Sequence, residues 1–396
     1  MMERKNRIFF VDDEPYVLGA IRRSLRPYRK QWDMNFCDNA QTALGILENE
    51  DIDIIISDMR MPEMDGAELL KIVQSKHSEV VRFVLSGYSD KEQLVKTFNI
   101  AHQYISKPCD PDELRTRIEQ TSWLLESMSS HQLKGFIGQT ESLPTPPKLY
   151  RDLVDTIQGE ACDVSEISRI LESDPALVGK ILKTVNSSCF GFGSRISNCE
   201  QAVAALGVET IRALILKEEV FSILSDSLSQ MFDLEKWRSR SLKVARLSRS
   251  IFKDKNEDNS LADDAFIAGM LLNIGETILL TYNPYKYIIL HDTYPQDSDK
   301  KFRAEEEIFG ENHATVGAYL LQLWGFAYEV GEAVASHHSM DGLTYDLIGI
   351  REASTLADRL VAIEEANDPE AALFSIKDLN QISDIPEQEL LSYTQY

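Results

Sequence analysis

The stretch IIISDMRMPEMDG, Ile54–Gly66, decides how the first third of this chain folds. It belongs to the third of five short β-rich runs: Arg7–Val11, Met34–Cys37, Ile52–Ser57, Val81–Leu85 and Gln103–Ser106. Between these runs lie amphipathic stretches near Val17–Leu25, Ala40–Leu47, Ala67–Val73 and Lys91–Thr97. Strands that alternate with helices build βαβ units, so the expectation is a doubly wound parallel five-stranded α/β sheet covered on both faces.

In an open parallel sheet, ligands bind outside the carboxyl ends of the strands. Asp12 and Asp13 end the first run, Asp58 the third, Ser86 the fourth and Lys107 the fifth. Any one of these alone reads as a turn or cap residue. Together, three carboxylates at one sheet edge repel one another unless a hard divalent cation such as Mg2+ sits among them. A carboxylate held there can attack a phosphoryl group and form an acyl phosphate. The Lys107 ammonium would then neutralise phosphate oxygens, and the Ser86 hydroxyl would donate to one of them.

The segments IFFVDDEP (8–15), IIISDMRMPEMDG (54–66), VLSGYSD (84–90) and QYISKPCDPDEL (103–114) resemble the receiver domain of two-component response regulators. The resemblance covers residues 5–125. It implies Mg2+ held by Asp12, Asp13 and Asp58, with the backbone carbonyl of Arg60 completing the protein's share. It further implies Asp58 as phospho-acceptor, Ser86 and Lys107 as phosphate-sensing groups, and Tyr104 as the switching aromatic. A cis Lys107–Pro108 peptide is implied by the same likeness, and a sensor histidine kinase or phosphotransfer protein is the implied donor.

Past Phe136 the texture changes. Strand-like runs nearly vanish and helix punctuation takes over: Asp163 with Glu166, Asp174–Pro175, and Ser197 with Glu200 ahead of Gly207. Ile167, Leu171, Leu177, Ile181, Leu182 and Val185 recur at helical spacing. The second domain is therefore expected to be all-α. Its segments LPTPP (143–147), EISRILESDPALVGKILKTVNSSCFG (166–191), ISNCEQAVAALGVETIRALIL (196–216), AGMLLNIGETIL (268–279) and ENHATVGAYLLQLWGF (311–326) resemble the HDOD domain. That domain is a relative of the HD-type metal phosphohydrolases.

Active HD enzymes hold metal through a His, an adjacent His–Asp pair and a distant Asp. Here Arg240 stands at the first position, Leu272 and Asn273 replace the pair, and only Asp358 remains. Leucine has no donor atom and a guanidinium opposes a cation. The chain is accordingly read as not an enzyme, beyond the receiver's own phosphorylation chemistry. The alternative, an HD-type phosphohydrolase acting on a cyclic or linear nucleotide, would need a residual site made from His313, His337, His338 and Asp358.

Composition narrows the partners. With 41 Lys and Arg against 64 Asp and Glu, the 396 residues carry a net charge of −23, which repels polyanions and argues against direct nucleic-acid binding. No apolar run in the sequence is expected to reach membrane-spanning length, and 5 cysteines without metal-type spacing read as reduced thiols of a cytoplasmic protein. The expected division is a receiver over 1–125, a helical extension and linker over 126–142, an HDOD output domain over 143–360 and a C-terminal extension over 361–396. The expected output is docking on a downstream signalling protein, with a homodimer as a further expectation.

Overall fold

The structure is a computed structural model; it describes residues 5–86, 100–140, 144–145, 164–186, 195–206, 222–223, 232–258, 260–294, 298–339 and 348–365. The expected helix at Lys91–Thr97, the LPTPP entry apart from Pro144–Thr145, Asp163, Gly191, Gly207 and the extension beyond Glu365 lie outside these residues. The chain divides into two compact units, the first built around residues up to Glu141 and the second around most of the residues from Ser142 onward.

The first unit carries β1 (Asn6–Val11), α1 (Pro15–Ser24), β2 (Trp32–Cys37), α2 (Ala40–Leu47), β3 (Ile54–Asp58), α3 (Gly66–Lys76), β4 (Val81–Ser86) and β5 (Gln103–Ser106). The five strands run in the order β2-β1-β3-β4-β5, every neighbouring pair parallel. β3 is buried at every residue, which is why its sequence is a continuous apolar run rather than an alternation. Phe9, Val11, Ile55 and Val84 pack with Ala43, Leu47, Leu69, Leu70 and Val73 of α2 and α3. The alternate strand residues Ile8, Phe10, Ile54, Ile56 and Phe83 are buried as well, so both faces are covered.

Caps fix where the helices begin. Asn39 accepts from the Thr42 amide at α2, and Asp65 with Glu68 forms a complete capping box at α3. α4 (Pro111–Ser127) starts from Asp110 with a proline in its first turn. A second helix, α5 (His131–Gln139), lies within the 126–142 stretch expected to hold a helical extension and linker, and Ser130 caps it. Arg82, only 1% exposed, donates to the carbonyls of Ile100 at 2.7 Å, Val80 at 3.0 Å and Gly138 of α5. One buried guanidinium thus ties α5 to the sheet.

The later part is helical: α6 (Val164–Leu171), α7 (Pro175–Val185), α8 (Cys199–Leu206), α9 (Leu234–Lys255), α10 (Ala262–Leu271), α11 (Ile274–Tyr282), α12 (Pro284–Thr293), α13 (Ser298–Phe309), α14 (His313–Leu323), α15 (Tyr328–Ser336) and α16 (Ile350–Glu365). One two-residue parallel pairing, β6 (Pro144–Thr145) with β7 (Ser222–Ile223), departs from the all-α expectation. Asp174 accepts from the Leu177 amide at 3.1 Å, as its place before Pro175 predicts. At α8 the cap is Asn198, which accepts from the Gln201 amide at 2.8 Å, rather than the expected Ser197. α9, α10 and α16 pack on one another, and α15 packs on α10 and α16.

The run Ala262–Tyr282 does pass a membrane-span test by length and composition, contrary to the sequence expectation. It is two core helices, α10 and α11, broken at Leu272–Asn273, and most of it is buried. Among the described cysteines, Cys37, Cys109 and Cys199 are free thiols.

Candidate functional site

At the carboxyl edge of the sheet, β1 delivers Asp12 and Asp13 and β3 delivers Asp58. Their carboxylate oxygens lie within 4.8 Å of one another. Lys107, just past β5, reaches across both strands: its Nζ is 2.8 Å from Asp12 Oδ2 and 2.6 Å from Asp58 Oδ1. Burial raises the Asp58 pKa, and the Lys107 ammonium only partly offsets that. Burial also disfavours the ammonium, but its hydrogen bonds to Asp12 and Asp58 outweigh it and lift the Lys107 pKa. The Lys107 ammonium and the Asp58 carboxyl group are therefore coupled to each other.

Backbone packing holds Asp58 in place. Its carbonyl accepts from the Ser57 hydroxyl at 2.9 Å, and the Gly66 amide donates to the Met59 carbonyl at 2.9 Å. A Cβ on Gly66 would meet the Asp58 carbonyl oxygen at 2.0 Å, so α3 can begin this close to Asp58 only with glycine. Between them Glu63 takes φ of +66°, and the Met64 amide reaches back to the Pro62 carbonyl at 2.8 Å. Ser57 and Gly66 are absent from the set of site residues that the sequence suggests. Gly66 is visible as the glycine after a capping aspartate; nothing local marks Ser57.

The other expected residues are placed as well. Arg60 is exposed two residues past Asp58, Tyr104 is buried at 4% exposure on β5, and the Lys107–Pro108 peptide is cis. Ser86 ends β4, paired in register with Ser106; its side chain lies outside the described set. Three convergent carboxylates offer the hard oxygen donors that Mg2+ takes, so the donor set fits that ion.

In the helical unit, Arg240, which the sequence likeness sets at the first HD ligand position, is held in an ion pair. Arg240 Nη1 lies 2.7 Å from Asp358 Oδ1 and its Nε 3.2 Å from Glu365 Oε2. Burial opposes the Asp358 charge, but Arg240 outweighs it and holds the carboxyl below the ordinary value. Leu272 is fully buried beside Asn273 at the α10–α11 break. Of the four groups expected to form a residual site, His313, His337 and His338 come together, whereas Asp358 is taken up by Arg240. Glu305, absent from the set that the sequence suggests, lies 2.6 Å from His313 Nδ1; at eight residues of separation it forms no motif.

The chain matches the HDOD domain family model over residues 143–340, half its length, and the response regulator receiver domain over residues 8–119. The chain belongs to the HDOD family. Its N-terminal unit is a response regulator receiver domain, so it is a two-component regulator in architecture. Solved structures share the fold. The MmoQ response regulator from Methylococcus capsulatus aligns with 21% identity and a TM-score of 0.51, covering 64% of this chain and 98% of that one. A virulence factor from Campylobacter jejuni aligns with 19% identity and a TM-score of 0.50, covering 67% and 94%. Among curated relatives, the hydrogenase transcriptional regulatory protein HoxA of Cupriavidus necator is 34% identical over 122 residues, 30% of this chain and 25% of HoxA. The DNA-binding transcriptional regulator NtrC of Proteus hauseri is 27% identical over 169 residues, 42% of this chain and 33% of NtrC. The chain thus spans only a quarter to a third of the length of these relatives.

Proposed function

We propose that this HDOD protein is a phosphorylation-controlled, non-catalytic signalling scaffold, with Asp58 as acceptor and a histidine kinase or phosphotransfer protein as donor. The observation that carries the reading is Lys107 Nζ bridging Asp12 and Asp58 at the sheet edge. Asp58 attacks the phosphorus of a phosphohistidine; the phosphorus–oxygen bond forms as the phosphorus–nitrogen bond breaks, and the departing imidazole takes up a proton. Lys107 releases a carboxylate and pairs with the incoming phosphoryl oxygens. Mg2+, held by Asp12, Asp13, Asp58 and the Arg60 carbonyl, would supply charge neutralisation between acceptor and phosphoryl oxygens. Ser86 and Tyr104 are the groups assigned to reading the acyl phosphate.

The non-catalytic reading of the HDOD domain rests on Arg240, whose guanidinium occupies the last carboxylate of the HD set. An HD-type nucleotide hydrolase would need that carboxylate free. The output is then docking on a downstream signalling protein, and the charge of −23 disfavours DNA as that partner.

Acetyl phosphate with Mg2+ should place one phosphoryl group per chain on the peptide bearing Asp58. Beryllofluoride, a mimic of that state, should change the solution scattering or the oligomeric state of wild type but not of Asp58→Asn. An unchanged scattering profile with fully loaded receiver would sink the switching half of the proposal.

A further inference from the structure

None of the three histidines of the helical unit is one of the four positions that the HD likeness assigns to metal, here Arg240, Leu272, Asn273 and Asp358. His313 opens α14, and His337 and His338 come directly after the end of α15. The crossing of α11 on α14 places the first of them: a Cβ on Gly275 would meet the His313 carbonyl oxygen at 1.9 Å, so the helices touch backbone to backbone there. Phe302 packs edge-on against His313, its centroid 5.9 Å away, and against His338 at 4.4 Å. His313 and His337 are buried, and His338 is half-buried, which leaves an approach from solvent.

The hydrogen bonds fix the tautomers. His337 Nδ1 lies 2.7 Å from the Val334 carbonyl; a carbonyl only accepts, so Nδ1 carries the proton and Nε2 a lone pair. His313 Nδ1 lies 2.6 Å from the Glu305 carboxylate and donates to it in the same way. The neutral imidazoles therefore turn two lone pairs toward each other, His313 Nε2 to His337 Nε2, across 3.3 Å. His338 Nε2 completes the cluster 3.0 Å from His313 Nε2. Its own proton could satisfy that second contact but not the first. Something positive belongs between these nitrogens.

The distances say what. Imidazole nitrogens about 2.0–2.1 Å from a tetrahedral Zn2+ stand roughly 3.3 Å apart, close to the separations here. A ligating histidine that donates its other nitrogen to a carboxylate or a carbonyl is the usual outer arrangement of such a site, and His313 and His337 have it through Glu305 and Val334. Three imidazoles select a borderline divalent transition metal over Mg2+ or Ca2+. The surrounding charge is mixed: Glu305 and Glu276 offset the added cation, Glu276 is paired with Lys301, and Arg359 donates to the His338 carbonyl at 3.2 Å.

We propose that His313, His337 and His338 bind a divalent transition-metal ion of the Zn2+ class, oriented by Glu305, as a structural centre of the HDOD domain. The competing occupant is a proton, which would make His313 an imidazolium shared between its two neighbours. Full-length protein stripped with a chelator and titrated with Co2+ separates them. Stoichiometric uptake with the intense visible bands of a four-coordinate centre is expected; the carboxylate set at Asp12, Asp13 and Asp58 would give only the weak bands of a six-coordinate ion. His338→Ala, at the solvent-facing ligand, should abolish the bands and the Zn2+-dependent rise in Tm while leaving the circular dichroism of the protein unchanged. Glu305→Gln should weaken binding by about 10- to 100-fold, and Asp58→Asn should leave it unaltered. A folded wild type that takes up no Co2+ or Zn2+, or bands that persist in His338→Ala, would overturn the site. Failure here leaves the phosphorylation reading untouched, because none of the proposed metal ligands takes part in the phosphorylation test.

Discussion

At Asp58 two environments compete, burial raising its pKa and Lys107 restraining it. Lys107→Ala removes the only cation shown bridging Asp12 and Asp58 among the described residues. The expected result is a fall of about 100-fold in the rate of phosphorylation by acetyl phosphate, the scale seen when a preorganised charge is lost from a transition state. Stopped-flow fluorescence or intact-mass time courses would read it, and an unchanged rate would remove Lys107 from the chemistry. Gly66→Ala tests the backbone instead. Its Cβ would start 2.0 Å from the Asp58 carbonyl oxygen, so urea unfolding should show a loss of about 1–3 kcal/mol together with slower phosphorylation. The carboxylates and the lysine are legible in the sequence because they fall at strand ends, where an open sheet presents its ligands. Ser57 and Glu305 are not, because each acts through a contact that only the folded chain creates.

Elements are legible in proportion to their periodicity. Ala40–Leu47 and Gln103–Ser106 come out with the bounds expected, while β3 starts at Ile54 rather than Ile52 and α3 runs on to Lys76. α5 lies within the expected helical extension, but what anchors it is not legible there, since the anchor is the distant Arg82. Arg82→Met leaves the carbonyls of Ile100, Val80 and Gly138 without this donor, and buried unpaired groups cost about 1–3 kcal/mol each. Urea unfolding should therefore lose at least about 2 kcal/mol, with amide exchange rising first across α5; an α5 as protected as before would contradict the anchoring role. The α9–α16 pair carries a pH signature. Asp358 has a depressed folded pKa, so its contribution is present above the unfolded value of about 3.9 and is lost as pH falls through the folded value. Without Arg240 burial dominates and the sign reverses. Arg240→Met should cost about 3 kcal/mol near pH 7, and the cost should shrink as the pH is lowered and Asp358 protonates. Equal losses at pH 7 and pH 5 in chemical denaturation would refute that pairing.

For the whole molecule, two textures in one sequence become two units in one chain: a parallel sheet whose edge gathers charge, and a helical domain that pairs Arg240 with Asp358 and buries Leu272. The division is legible because strand-rich and helix-rich stretches bury their apolar residues at different periods. The cluster that the helical domain gathers is less so, because His313, Glu305, His337 and His338 come from separate helices and helix ends. Signalling by this molecule stands on Asp58 being the group that receives the phosphoryl group. Mass spectrometry of wild type and Asp58→Asn after incubation with acetyl phosphate and Mg2+ tests this most directly. A phosphoryl increment confined to the wild-type peptide spanning Asp58 is predicted. No increment in the wild type, or the same increment in Asp58→Asn, would contradict it.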